Sequence, residues 1–192
     1  MAGGNDLWLA KKIWDKDADA AFEVVSRYGN TMLKSAYLML GDYHEAEDVV
    51  QEAIWLIIKK PEIYKENGDL EAFLVTIAIN LARDRLRSFW KKRVYPKEHL
   101  PKSRFSVSTS AEEVAVDKIH RESMVGILEK LSVDYRAVII LYYYQDLSVK
   151  EISTLMNWPE GTVKSKLHRG RKILRKEIEK GGISYGVNRT EI

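Results

Sequence analysis

Ser165, His168, Arg169 and Lys172 recur at intervals of three, one and three residues, which places them on one side of a helix. A hydroxyl, an imidazole, a guanidinium and an ammonium side by side share one use: they hydrogen-bond base edges and phosphate oxygens. Lys164 and Arg171 flank them, while Val163, Leu167, Gly170, Leu174 and Ile178 fall on the opposite side as a packing face. A second constellation, Asn80, Arg83, Arg87 and Trp90, recurs at three- and four-residue spacing. Guanidinium groups that hold phosphates beside a ring that stacks bases are the chemistry of single-stranded nucleic acid binding, to which Tyr64 and its loop add. An aromatic at helical spacing is equally an ordinary core residue, so this face alone leaves both readings open. A third set, Glu45, Asp48 and Glu52, makes an acidic stripe. It fits a protein dock, a metal or acid/base site, or a plain soluble face.

These side chains need elements to position them, and the chain supplies helices. Ser148 with Glu151 predicts a capping box, Asn157 a left-handed helix end, and Pro159 the start of the next helix. Helix, tight turn and a strongly basic second helix together read as a DNA-binding helix-turn-helix. The acidic stripe borders a helix whose apolar face is Ala46, Val49, Val50, Ala53, Leu56 and Ile57. Pro61 breaks that helix, Asn67-Gly68-Asp69 marks a turn, and another helix is expected from about Leu70 to Lys92 with Phe73, Ile77, Ala78 and Leu81 inward. Upstream, Ala21, Val24, Val25 and Tyr28 have helical spacing. The segment 94–111, with Pro96, Pro101 and the polar run from Ser103 to Ser110, holds no period and reads as a flexible linker. Helical pattern resumes near Glu112, restarts after Ser132 with Val138, Ile139, Leu141 and Tyr142, and the tail beyond Gly181 is expected to fray.

The expected fold class is therefore all-α, two small helical domains, 1–93 and 112–192, joined by a linker. A chain of 192 residues with 45% hydrophobic content is large enough for both. The net charge of +3 is uneven, with cations gathered at Arg83–Arg93 and Lys164–Lys180 and acid at Glu45–Glu52. Cysteine is absent and the four histidines are scattered, so no disulfide, metal or other cofactor is expected. No apolar run approaches the ~18 residues of a membrane span, and the opening residues lack the basic and apolar regions of a signal peptide. A cytoplasmic location without membrane insertion is expected.

Three segments, in this order, resemble the sigma-70 family of bacterial RNA polymerase sigma factors, specifically the extracytoplasmic-function (ECF) group. Ala46-Glu47-Asp48-Val49-Val50-Gln51-Glu52-Ala53 is similar to the family's polymerase-binding helix. Phe73-Leu74-Val75-Thr76-Ile77-Ala78-Ile79-Asn80-Leu81-Ala82-Arg83-Asp84 is similar to its promoter-melting helix. Leu131 through Arg171 is similar to its second domain. The resemblance implies a promoter-specificity factor without catalysis of its own. Glu45, Asp48, Gln51 and Glu52 would dock on the clamp of the polymerase largest subunit, and the flap of the second-largest subunit would be a further contact. Asn80, with Arg83, Arg87, Trp90 and the loop around Tyr64 to Asp69, would take the −10 element as an unpaired strand. Ser165, His168 and Arg169 would reach bases of the −35 element, with Lys164, Lys166, Lys172 and Arg136 on phosphates. An anti-sigma protein is among the implied partners.

The chain departs from the family's pattern in the segment Lys91–Glu98 and the linker, and at three positions of the second domain. Gly170 stands where alanine is usual, costing the helix ~1 kcal/mol unless a close approach requires it. Trp158 and Asn157 replace a smaller residue and a glycine in the turn. A stand-alone helix-turn-helix regulator is the alternative reading, but such a protein would carry a ligand or receiver domain in place of the acidic helix and the Asn-Arg-Trp face. An enzyme built on Glu45, Asp48, Glu52 and His44 fails because one helix supplies all four groups.

Overall fold

The structure, a computed structural model, describes residues 7–15, 17, 19–64, 69–92 and 124–181, and every regular element among them is helical. In chain order these are α1 (Leu7–Trp14), α2 (Ala20–Leu40), α3 (Tyr43–Lys59), a single 3-10 turn (Pro61–Ile63) and α4 (Leu70–Lys92). A helical stretch at 124–128 then precedes α5 (Val133–Ile139), which runs into a π-helical turn (Ile140–Tyr144), followed by α6 (Val149–Met156) and α7 (Glu160–Gly181). The linker 94–111, the expected helical start near Glu112 and the tail 182–192 lie outside the described residues.

The helix ends have local chemical causes. Asp42 begins α3 by accepting the Glu45 N–H at 3.0 Å, and Asp69 begins α4 by accepting the N–H groups of Glu71 and Ala72 at 2.8 and 3.3 Å. The Ser148–Glu151 capping box is formed in both directions, and Asn157 ends α6 at φ 52°, ψ 47°. Gly41 ends α2 at φ 74° and donates its N–H to Tyr37 O at 2.8 Å. A Cβ there would stand 2.7 Å from Glu129 Oε1 and 3.1 Å from Val125. Glycine therefore serves both the left-handed backbone and the approach of the second half of the chain.

Helices α2, α3 and α4 pack on one another, with α1 against α2, while α5 and α6 pack on α7. Ala46, Val49, Val50, Ala53 and Ile57 are buried as the sequence predicts, with Leu56 half-buried. On α4 the buried face is rotated from the expected one. Leu70, Leu74, Val75, Ala78, Ile79 and Ala82 are buried, whereas Phe73, Ile77 and Leu81 are only partly so. The face is wider than a single stripe because α4 packs on α2 and α3 and also touches α5 and α6. Val25, read as part of the apolar face of α2, is exposed.

The buried side chains of the two halves form one continuous cluster running from Leu9 to Leu167. Each fully buried Leu or Ile in it contributes about 1.5–3 kcal/mol relative to exposure. Polar contacts cross the junction as well. Gln145 Nε2 donates to Ser35 Oγ at 2.8 Å, and the buried Arg136 donates to the Met39 carbonyl near the end of α2, one of the carbonyls a helix end leaves unpaired.

Candidate nucleic-acid interface

The outer face of α7 is open. Val163, Leu167 and Gly170 are buried against α5 and α6, and Leu174 and Ile178 are half-buried, so the helix is held by the side the sequence assigned to packing. Ser165, His168, Arg169 and Lys172 are all exposed. Ser165 Oγ donates to Thr162 O at 3.0 Å, and Lys164 lies 3.6 Å from Glu160. A face of this kind fits a DNA groove, where charged and polar side chains meet phosphates and base edges.

The corresponding face of α4 is covered at Arg83, while Arg87 at its edge stays exposed. Arg83 is only 7% exposed and donates to Asn80 Oδ1 and, at 3.2 Å, to Asp134 Oδ1 of α5. Arg87 reaches the same oxygen at 2.7 Å, and Lys166 of α7 reaches Asp134 Oδ2 at 3.0 Å. The Trp158 ring completes the cluster, with the Arg83 guanidinium 4.8 Å and the Lys166 ammonium 4.9 Å from its centroid. Burial alone would raise the Asp134 pKa. The Lys166 hydrogen bond and the charges of Lys166, Arg83 and Arg87 outweigh it and hold the carboxyl below its ordinary value. A carboxylate depressed on folding contributes stability above its unfolded pKa and loses it only as pH falls through the folded one, so the cluster is intact at neutral pH.

Two expected contacts sit elsewhere in this arrangement. Arg136, placed by resemblance on a phosphate, is inside the protein, and burial lowers its pKa despite the charge of Glu129. Tyr64 is buried with its ring 5.0 Å from that of Phe73, centroid to centroid. The side chain of Trp90 lies outside the described residues.

The acidic stripe has a partner group that spacing did not reveal. Arg85 of α4 reaches Glu45 at 2.7 Å, Glu52 at 3.4 Å and Asp48 at 3.7 Å. Its pKa is raised: burial lowers it, but the Glu45 hydrogen bond and the three carboxylates prevail. Arg85 lies two positions from both Arg83 and Arg87, hence across the helix from them, which was the available signal. Asp48 and Glu52 keep half or more of their side-chain surface exposed beyond this bridge, and Gln51 is exposed beside them. Asp134 gave no such signal, since its partners on α4 are 47 and 51 residues away.

The sigma-70 region 2 family model matches residues 24–92, and that of sigma-70 region 4 matches residues 121–174. The ECF RNA polymerase sigma factor SigW of Bacillus subtilis (strain 168) is 34% identical over 180 residues, spanning 88% of this chain and 94% of that protein. The chain belongs to the ECF RNA polymerase sigma factors. Another of these, SigM of the same strain, is 30% identical over 161 residues, spanning 83% of this chain and 95% of that protein. Among solved structures, CnrH in complex with the cytosolic domain of CnrY matches with a TM-score of 0.68 at 19% identity, covering 91% of this chain and 97% of that one. The sigma factor RpoE in complex with the anti-sigma factor NepR from Bartonella quintana matches with a TM-score of 0.61 at 20% identity, covering 84% and 98%. These two likenesses establish a shared two-domain helical fold. As an ECF sigma factor the chain binds core RNA polymerase, recognises the −35 and −10 promoter elements and promotes DNA melting for initiation.

Proposed function

We propose that the three surfaces divide this work. The outer face of α7 reads the −35 element, with Ser165, His168 and Arg169 on bases and Lys164, Lys166 and Lys172 on phosphates. The Asn80–Arg83–Arg87 face of α4, continued by Trp90 and the loop after Tyr64, holds the unpaired −10 strand. Glu45, Asp48, Gln51 and Glu52 meet the polymerase clamp, and the flap of the second-largest subunit is a further contact. The domains are 1–93 and 112–192. The chain acts in the cytoplasm and has no catalysis of its own: binding energy is spent on strand separation. None of the described helices is long and apolar enough to cross a membrane. An anti-sigma protein is a further partner, supported by RpoE of the same fold having been solved with one.

The observation that carries this reading is the open, cation-rich side of α7 set back to back with its buried apolar side. Arg169 and Lys172 test it, because they share charge but not role. In run-off transcription with core polymerase and a promoter carrying base substitutions, Arg169→Ala should cost about 1–3 kcal/mol and relax preference at one −35 position. Lys172→Ala should weaken all sequences alike. Identical profiles for the two variants would refute the division into base reader and phosphate anchor.

A further inference from the structure

The face of α4 assigned to the unpaired strand is already occupied, and its occupant has the chemistry of a nucleotide. Asp134 presents an anion to Arg83 and Arg87 at 3.2 and 2.7 Å. Trp158 presents a flat ring on which the Arg83 guanidinium stacks at 4.8 Å. An anion to pair with guanidinium groups, next to a planar ring, is what a single strand offers the same side chains. Both groups come from the second domain, one from α5 and one from the turn that leads into α7.

We propose that Asp134 and Trp158 act as an internal stand-in for a nucleotide, holding the second domain over the strand-binding face of α4 until polymerase and promoter displace it. Strand binding and closure are then mutually exclusive, since Arg83 at 7% exposure cannot meet a phosphate while Asp134 holds it. Lys166 ties the second promoter surface to the same carboxylate at 3.0 Å, so one anion restrains a phosphate contact of each element. Gln145 on Ser35 and Arg136 on the end of α2 align the two halves, while Gly41 admits their close approach. The closure is also built to yield. One carboxylate faces three cations, leaving an excess of positive charge that a DNA backbone with many phosphates satisfies better. Trp158 and Asp134 thereby acquire a role that the helix-turn-helix does not require of them.

The proposal rests on α4 binding the unpaired strand, and two readouts on the full chain separate its failure from the failure of that reading. Asp134→Asn keeps the shape and removes the charge, and far-UV circular dichroism confirms that it folds. Small-angle scattering should show a larger radius of gyration for Asp134→Asn than for the parent chain. The parent chain itself should expand on adding salt. Binding of a short fluorescein-labelled single strand of randomised sequence should tighten about tenfold in the variant, as expected when a competent form populated near a tenth becomes dominant. Asp134→Glu should restore compactness. Equal size and equal affinity for Asp134→Asn and the parent would overturn the proposal, as would a parent chain expanded at every salt concentration. An expanded variant with unchanged affinity would overturn strand binding by α4 and leave the closure standing.

Discussion

Helices α4 and α7 are both long, both rich in arginine and lysine, and held in opposite states. On α4, Arg83 and Arg87 are taken by Asp134, and Arg85 on the other side is taken by Glu45, Asp48 and Glu52. On α7, His168, Arg169 and Lys172 stand exposed, while Lys166 is drawn inward to Asp134 and Arg171 lies over the rings of Tyr142 and Tyr143. The difference follows from packing. One side of α7 is buried and the other faces solvent, so the cations on that outer side point out. Helix α4 has neighbours on several sides, and two of them, α3 and α5, bring carboxylates within reach of its guanidinium groups. Positive charge along a helix thus says little about readiness to bind. A surface left free by packing offers its charge at once, whereas a surface that packing crowds must first exchange one partner for another.

The contrast breaks first at the acidic edge. Glu45 holds Arg85 at 2.7 Å, while Asp48 and Glu52 are its more distant partners and face outward. Reversing the charge of Asp48 and Glu52 together, as Asp48→Lys with Glu52→Lys, should therefore leave Arg85 anchored and the domain folded. It should also weaken binding to core polymerase by a factor on the order of a hundred, since like charges brought together across an interface cost several kcal/mol. Fluorescence titration against core enzyme checks this, with circular dichroism as the folding control. Undiminished affinity would mean that the stripe serves only Arg85 and that α4 and α3 form a closed pair with no outside partner.

How much of this was legible in the sequence depends on how far apart the interacting residues lie. The capping box at Ser148 and Glu151, the left-handed Asn157, the break at Pro61 and both faces of α7 are contacts within a turn or two, and spacing alone predicts them. The inward face of α4 was placed off by part of a turn because a periodicity argument assumes one packing partner. The resemblance places Arg136 on a phosphate, yet its burial against Met39 O is decided by an element far off in sequence; Tyr64, read as part of the strand-binding face, packs instead on Phe73 across the break between α3 and α4. Asp134 was invisible for the same reason: a first-turn acid on a short helix has the bland look of a favourable helix-end charge.

Asn80 probes the closed side of α4 in the holoenzyme, where the second domain is engaged with DNA. Its Oδ1 accepts from Arg83, so it orients that guanidinium, and on the proposed reading its amide meets the unpaired strand. Asn80→Ala should still form a closed promoter complex through α7 but open it about ten- to a hundredfold less, the effect of losing ~1–3 kcal/mol at one base site. Permanganate reactivity of thymines near the start site reads this directly. A promoter already mismatched over that stretch should recover part of the lost transcription, because the unpairing cost of a few kcal/mol is removed beforehand. Normal opening on fully paired DNA would assign Asn80 to the fold and make the two helices differ in function as well as in state.

The smallest effect lies on the packed side of α7, at the residue whose absent side chain lets that helix sit close enough to α5 to turn its other face outward. A Cβ on Gly170 would stand 3.1 Å from Ile139 Cγ1, 3.3 Å from Ile139 Cδ1 and 3.6 Å from Tyr135 Cβ. The first two distances require Ile139 to give way by a few tenths of an ångström, and the third is ordinary contact. Alanine in mid-helix is worth about 1 kcal/mol over glycine, while crowding a packed site costs a comparable amount. Gly170→Ala should consequently shift the melting temperature by little in either direction. Ile139→Val removes the Cδ1 methyl and by itself costs about 0.5–1.5 kcal/mol. In the double variant part of the helix gain should reappear, because the 3.3 Å contact is gone while Cγ1 at 3.1 Å remains, so that the two changes together destabilise less than the sum of each alone, a coupling that a thermal-denaturation double-mutant cycle measures. Strict additivity, with the full alanine gain already present in Gly170→Ala alone, would mean that α7 does not need this close approach and that its open face is set by the turn at Asn157–Pro159 instead.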